Sequence, residues 1–192
     1  MTTTCAEEFQ TVELIVNSKA TTRGVDAFAL SLIKAERQVR RLLTHLIYQF
    51  PCFSGTDVAR LRQTLVNNRQ VYFEGFEKGL DALYPQSVAS LVGKEYPRLR
   101  QRMQEATDRR RKIFHGQLTA KNLTRSDLLD FVRDIRDWCD ALACGAQNEF
   151  DYDGFVRNSF RKSTINGLHS RFKIQIVSIQ DYEQFIHQYL ER

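Results

Sequence analysis

Proline and glycine are scarce in this 192-residue chain, occurring 3 and 9 times. With 27% charged residues as well, so few turn formers cannot punctuate the many short strands of a sandwich or barrel, and the composition predicts an all-α fold built from long helices. No run of about 18 uncharged apolar residues is present, so neither a membrane-spanning helix nor a membrane partner is expected. The opening stretch Met1, Thr2, Thr3, Thr4, Cys5, Ala6, Glu7, Glu8 is acidic where a secretory signal would be basic and then apolar, which predicts a soluble, cytoplasmic protein. Of the cysteines Cys5, Cys52, Cys139 and Cys144, no two form a C-x-x-C pair, and the only close pair, Cys139 and Cys144, falls within a helical stretch. Reduced thiols are expected, with neither a zinc site nor a disulfide framework. G-x-x-x-x-G-K, G-x-G-x-x-G and G-x-S-x-G are all missing, which removes the phosphate-cradling loop and the nucleophile elbow. His169 and His187 have no carboxylate cluster at ligand spacing, so no metal and no cofactor is expected. His187 reads as a partly exposed surface histidine.

What is present is enough apolar material for a core, 42% of residues, with no repeat, low-complexity tract or linker. A single domain over 1–192 is expected, its core spanning about 25–146 and a C-terminal extension about 155–192. The formal net charge of +5 is unevenly spread: Lys94 to Lys112 holds eight basic residues against three acidic ones, and so carries the whole excess. Asp127 to Asp153 holds eight acids against Arg133 and Arg136, and Arg157 to Lys173 holds five basic residues and no acid. Two basic strips flanking an acidic helix suit a polyanion such as RNA, although charge alone fits solvated helix faces equally well.

Hydrophobic spacing places the elements. Val12, Leu14 and Val16 alternate within Phe9 to Val16 and predict a short strand. Phe28, Leu32, Ala35, Val39, Leu42, Leu43, Leu46, Ile47 and Phe50 recur at helical spacing from about Val25 to Phe50, where Pro51 ends the helix. A second helical tract runs from Thr56 to about Leu83, broken around Asn67 and Asn68, and Ser87 opens a short turn ending near Gly93. Pro97 suits the first position of a helix with the stripe Leu99, Met103, Ala106, then Ile113 and Phe114, which Gly116 would cap. From about Ser126 to Ala146, Leu128, Phe131, Val132, Ile135, Trp138 and Leu142 should face inward, with Asp127, Asp130, Asp134 and Asp137 outward. Phe172, Ile174 and Ile176 alternate as a second strand that could pair with the first into a small two-stranded ribbon. Ser178 should cap a terminal amphipathic helix carrying Ile179, Tyr182, Phe185, Ile186, Tyr189 and Leu190.

The chemistry concentrates in Asp108-Arg109-Arg110-Arg111-Lys112-Ile113-Phe114-His115-Gly116-Gln117. Cutting RNA without a metal requires removing the ribose 2′-OH proton, supplying one to the 5′-oxygen and stabilising the charge on phosphorus. Histidine suits the proton transfers near neutral pH, and arginine, a planar and permanently charged fork, suits the phosphate. At about 100° per residue, Arg110 lies within about 20° of the Leu99, Met103 and Ala106 direction, where the stripe calls for a leucine. Such an arginine needs a partner, an interface or a ligand, or else snorkels out past Phe114.

Arg110, four residues and then His115, followed by Gly116 at a helix end, resembles the Arg-x4-His motif of the HEPN superfamily, helical bundles many of which are RNases of toxin–antitoxin and antiviral systems. In that family the position after the arginine is often Asn or another polar residue; here it is Arg111. The resemblance covers the helices from about Val25 to Ala146. It implies a HEPN-like bundle acting as a metal-independent endoribonuclease, with Arg110 and His115 catalytic and with Arg109, Arg111 and Lys112 holding RNA. It further implies a homodimer lining one composite cleft, and a cognate antitoxin or regulatory protein. The spacing alone also matches Arg40-Arg41-Leu42-Leu43-Thr44-His45, but His45 sits among core positions and reads as a bundle histidine. Glu36 could orient Arg110 or Arg40; a solvated pair with Arg40, four residues on, is the simpler expectation. Two rival readings need no catalysis: a helical RNA- or protein-binding HEPN module, and a basic strip that only balances a neighbouring acidic helix.

Overall fold

In the computed structural model, which describes residues 4–67, 72–114, 123–155 and 158–191 and only the backbone of Phe114, every regular element is a helix. The elements are α1 (Thr4–Glu8), α2 (Gln10–Val16), α3 (Arg23–Tyr48), α4 (Val58–Asn67), α5 (Phe73–Leu83), α6 (Val88–Val92), α7 (Tyr96–Phe114), α8 (Arg125–Phe150) and α9 (Ile179–Phe185), the last running into a π-type turn over Ile186–Leu190. Their ends carry ordinary stop and start chemistry. Thr124 and Asp127 form a capping box for α8, in place of the expected start at Ser126, and Ser178 accepts the Asp181 amide at the head of α9. The C-terminal end of α8 turns through Asp151 at φ 55°, one of the few residue types that tolerates the left-handed region.

The expected ribbon is not formed, since no strand occurs among the described residues. Over Phe9–Val16 the buried side chains are Phe9 and Val12, which continue from Cys5 at three- and four-residue steps, while Leu14 is 73% exposed. The helical period therefore prevails over the alternation of Val12, Leu14 and Val16. Phe172, Ile174 and Ile176 do lie in non-helical chain, but it is clipped to the bundle by isolated bonds rather than a ladder. The Lys173 amide donates to Leu83 O at 2.9 Å, and Cys52 Sγ donates to Ile176 O at 3.4 Å. Alternation here marks a segment with one side pressed on helices, Phe172 and Ile176 being buried.

Long helices α3 and α8 pack side by side and run in the same direction. Gly24 meets Arg125 and Leu128, Phe28 meets Phe131 with ring centroids 5.7 Å apart, and Gln38 reaches Cys139. Helix α7 runs antiparallel to α8, with Arg98 reaching Asp134 and Asp137, and Arg102 reaching Asp134 and the Phe131 ring. Trp138 is fully buried in α8, its ring 5.9 Å from Phe73 and 5.7 Å from Tyr96. The segment after α8 closes the far end of the bundle, where Phe50, Phe172, Tyr84 and Phe150 form a chain of edge-on ring contacts at 5.2 to 6.0 Å.

Two helices approach closely only because glycine is present. A Cβ on Gly145 would lie 2.1 Å from Leu91 O, and one on Gly75 would lie 2.1 Å from Leu190 O. Both obstructions are backbone atoms, which cannot swing aside. Gly145→Ala is therefore expected to lower unfolding free energy by about 1–3 kcal/mol, because α6 must back away from α8. Urea denaturation followed by circular dichroism checks this, and an unchanged midpoint would contradict so tight a contact.

Candidate functional site

Helix α7 presents the stripe that its spacing requires, with Leu99, Met103 and Ala106 buried and Ile113 half-buried against the core. Its cations divide into two groups. In the first half they are matched by acids of this same molecule: Arg98 contacts Glu95 at 2.9 Å and Asp134 at 2.7 Å, and Arg102 contacts Asp134 and Glu105, each at 2.7 Å, while lying 4.1 Å above the Phe131 ring. Arg100 bonds Glu77 at 2.8 Å, and Tyr96 donates to the same carboxylate at 3.0 Å. Burial pushes the Glu77 carboxyl above its ordinary pKa, with Arg100 pulling the other way. Much of the expected basic strip is thus balanced internally, and Asp134, expected to face outward, is half-buried beneath two guanidinium groups.

The last turns differ. Arg109, Arg111 and Lys112 form no ion pair among the described residues. Arg110, at the stripe position, extends across to α3 and pairs with Glu36; the two side chains are 30% and 33% exposed. Glu36 is therefore drawn to Arg110 and not, as its four-residue spacing suggested, to Arg40, which is exposed. The position of Arg110 is fixed while its charge remains accessible.

His115 and Gly116 lie outside the described residues, so the position of the expected proton-transfer group relative to Arg110 is not described. The alternative match can be placed. His45 is 1% exposed, its ring stacks 4.4 Å from Tyr152 with Nδ1 3.3 Å from Ser159 O, and the chain after α8 covers it. His169 is half-buried, and His187 is exposed and paired with Glu191. Among the described residues no group of three or more His, Cys, Asp or Glu side chains is placed to hold a metal ion, and no helix is long and apolar enough to cross a membrane. Comparison with protein-family models, with curated proteins and with solved structures gives no match.

The internal pairing of Arg98 and Arg102 was not legible from charge counts, because it depends on which face of α8 lies against α7. The Glu36 contact had one usable signal, an arginine on an apolar stripe, which demands an acid on the facing helix. Because both partners are about one-third exposed, solvent screens the pair, and a double-mutant cycle of Glu36→Ala with Arg110→Ala should give a coupling below about 1 kcal/mol. His45→Ala should cost about 2–4 kcal/mol, since it empties a buried ring site. An Arg110→Ala loss exceeding that of His45→Ala in denaturant titrations would make Arg110 a structural clamp.

Proposed function

We propose that this chain is a metal-independent endoribonuclease of HEPN type. The observation that carries the reading is Arg110, seated on the apolar stripe of α7, aimed by Glu36 and still accessible, with Arg109, Arg111 and Lys112 uncompensated around it. His115, five residues on, removes the 2′-OH proton; the 2′-oxygen attacks phosphorus as the bond to the 5′-oxygen breaks, and the leaving oxygen gains a proton. Arg110 stabilises the charge that builds on the phosphoryl oxygens, and the three neighbouring cations hold the strand. The products are a 2′,3′-cyclic phosphate and a 5′-hydroxyl.

The active species is a homodimer with both motif helices lining one cleft. Ile33, 47% exposed and three residues before Glu36, and Val25, 38% exposed in the first turn of α3, offer apolar surface to a second copy. The cellular role is a toxin or phage-defence effector held in check by a cognate antitoxin or regulatory protein, acting in the cytoplasm. A second reading, a non-catalytic helical module binding RNA or a protein, is favoured by one feature: Glu36 already satisfies the Arg110 charge.

Incubation of purified protein with RNA separates the two. Cleavage should survive EDTA, spare DNA and leave 2′,3′-cyclic or 3′-phosphate ends; chelator-sensitive cleavage restored by a divalent ion would overturn the mechanism. Arg110→Ala and His115→Ala should each abolish cleavage with little change in melting temperature, whereas Arg40→Ala and His45→Ala should leave activity in whatever protein folds. Mixed dimers of Arg110→Ala and His115→Ala subunits stay inactive if the cleft needs all four groups and regain part of the rate if one Arg and one His suffice. Full-rate cleavage by a monomer in light scattering would refute the shared cleft.

A further inference from the structure

The second basic strip has its own surface, distant from Arg110. Between Asp153 and Asp181 the chain contains no acid, and α4 contains Arg60 and Arg62 and no acid. The fold brings these two regions together at the C-terminal end of α3. The Arg62 guanidinium lies 5.0 Å above the half-buried Phe160 ring, and Phe160 meets Tyr48 edge-on at 5.7 Å. Lys162 Nζ sits 4.8 Å over the Tyr48 ring and donates to Tyr48 O, the last carbonyl of α3, at 2.5 Å and to Phe50 O, two residues beyond it, at 2.9 Å. Arg161 is exposed beside it. In contrast to Arg98, Arg100 and Arg102 on α7, Arg62, Arg161 and Lys162 form no ion pair among the described residues; the nearby acids Asp57 and Asp181 bond instead to Ser54 and to Val177 and Ser178. Arg62 over one ring of an aromatic pair, Lys162 over the other and exposed Arg161 next to it, all without an ion pair, favour an anionic ligand that also carries a flat apolar surface.

We infer that Phe160, Arg62, Arg161 and Lys162 form an anchoring site for single-stranded RNA, separate from the cleavage site; naming RNA as the ligand rests on the endoribonuclease reading above. A base stacks on Phe160 in the place that the Arg62 guanidinium occupies, and Arg62 and Arg161 take the flanking phosphates. Twelve residues of α3 separate Glu36 from Tyr48, roughly 18 Å at the helical rise, and exposed Arg40 lies between them. A strand held at Phe160 therefore runs along α3 toward Arg110.

Fluorescence anisotropy with a labelled 2′-O-methyl oligouridylate, which lacks the attacking hydroxyl, reads binding without cleavage. A uridylyl-adenosine dinucleotide, too short to span both places, reads cleavage without the anchor. Arg62→Glu combined with Arg161→Glu should weaken oligouridylate binding at least tenfold and flatten its salt dependence by about two counterions. Phe160→Leu should weaken it about tenfold, and Phe160→Tyr should retain it. All three, checked for folding by circular dichroism, should cut the dinucleotide as the unaltered protein does. Oligouridylate binding within twofold of the unaltered protein in both the charge-reversed and the Phe160→Leu variants overturns the anchor, as does an unaltered protein that does not bind. If the unaltered protein binds, the variants do not, and no RNA is cut, the nuclease reading fails and the anchor stands.

Discussion

A single buried amide fastens the frame on which both surfaces are built. Gln38 is wholly buried in the middle of α3, and its Nε2 donates to Cys139 O of α8 at 2.9 Å and to Asp153 O, beyond the end of α8, at 3.1 Å. One side chain thus sets the register of the two longest helices and the direction in which the chain leaves the second. Its energetic weight lies in the bonds, about 1 kcal/mol each, and in the cost of burying Asp153 O without a donor, since Cys139 O already accepts within α8. Gly154, at φ 87°, lies close enough that an added Cβ would sit 2.7 Å from Gln38 Cγ, so the crossing of the exiting chain depends on that glycine. With α3 and α8 fixed, α7 packs on α8 through the Arg98 and Arg102 contacts, and only then can Arg110 reach Glu36.

Much of the helical frame was legible in the amino-acid pattern, because long amphipathic stripes carry many redundant signals. Every apolar position read for α3 and α8 is buried, and the break near Asn67 is where α4 ends. The strands failed for want of redundancy: three alternating residues cannot outvote Cys5, Phe9 and Val12, and an extended segment pressed on helices imitates the same alternation. The site was half legible. An arginine where a leucine belongs announces a partner, but its identity depends on how α7 crosses α3, which no local pattern encodes. The partial self-neutralisation of α7 was hidden for the same reason, since Asp134 looks like any solvated acid until α7 is laid against it.

This division of charge sharpens what α7 can do. Arginines locked onto Asp134 and Glu77 stiffen the helix and hold it to α8 and α5; those beyond Ala106, apart from Arg110, have no acid to hold them and remain available to a ligand. A polyanion approaching the helix meets a neutralised stem and a charged tip, so its contacts are drawn to the end carrying the motif.

The turn formed by Ile186–Leu190 bears on how the protein is made. Leu190 rests against both Gly75 and Gly79 of α5, where added Cβ atoms would lie 2.1 Å from its carbonyl and 2.7 Å from its side chain. Helix α5 is therefore finished by residues more than a hundred positions later. During synthesis its glycine-lined face stays open to water until Leu190 has left the ribosome, so closure of this part of the bundle waits for that late turn. Until then the nascent chain shows an apolar groove to whatever chaperones attend it.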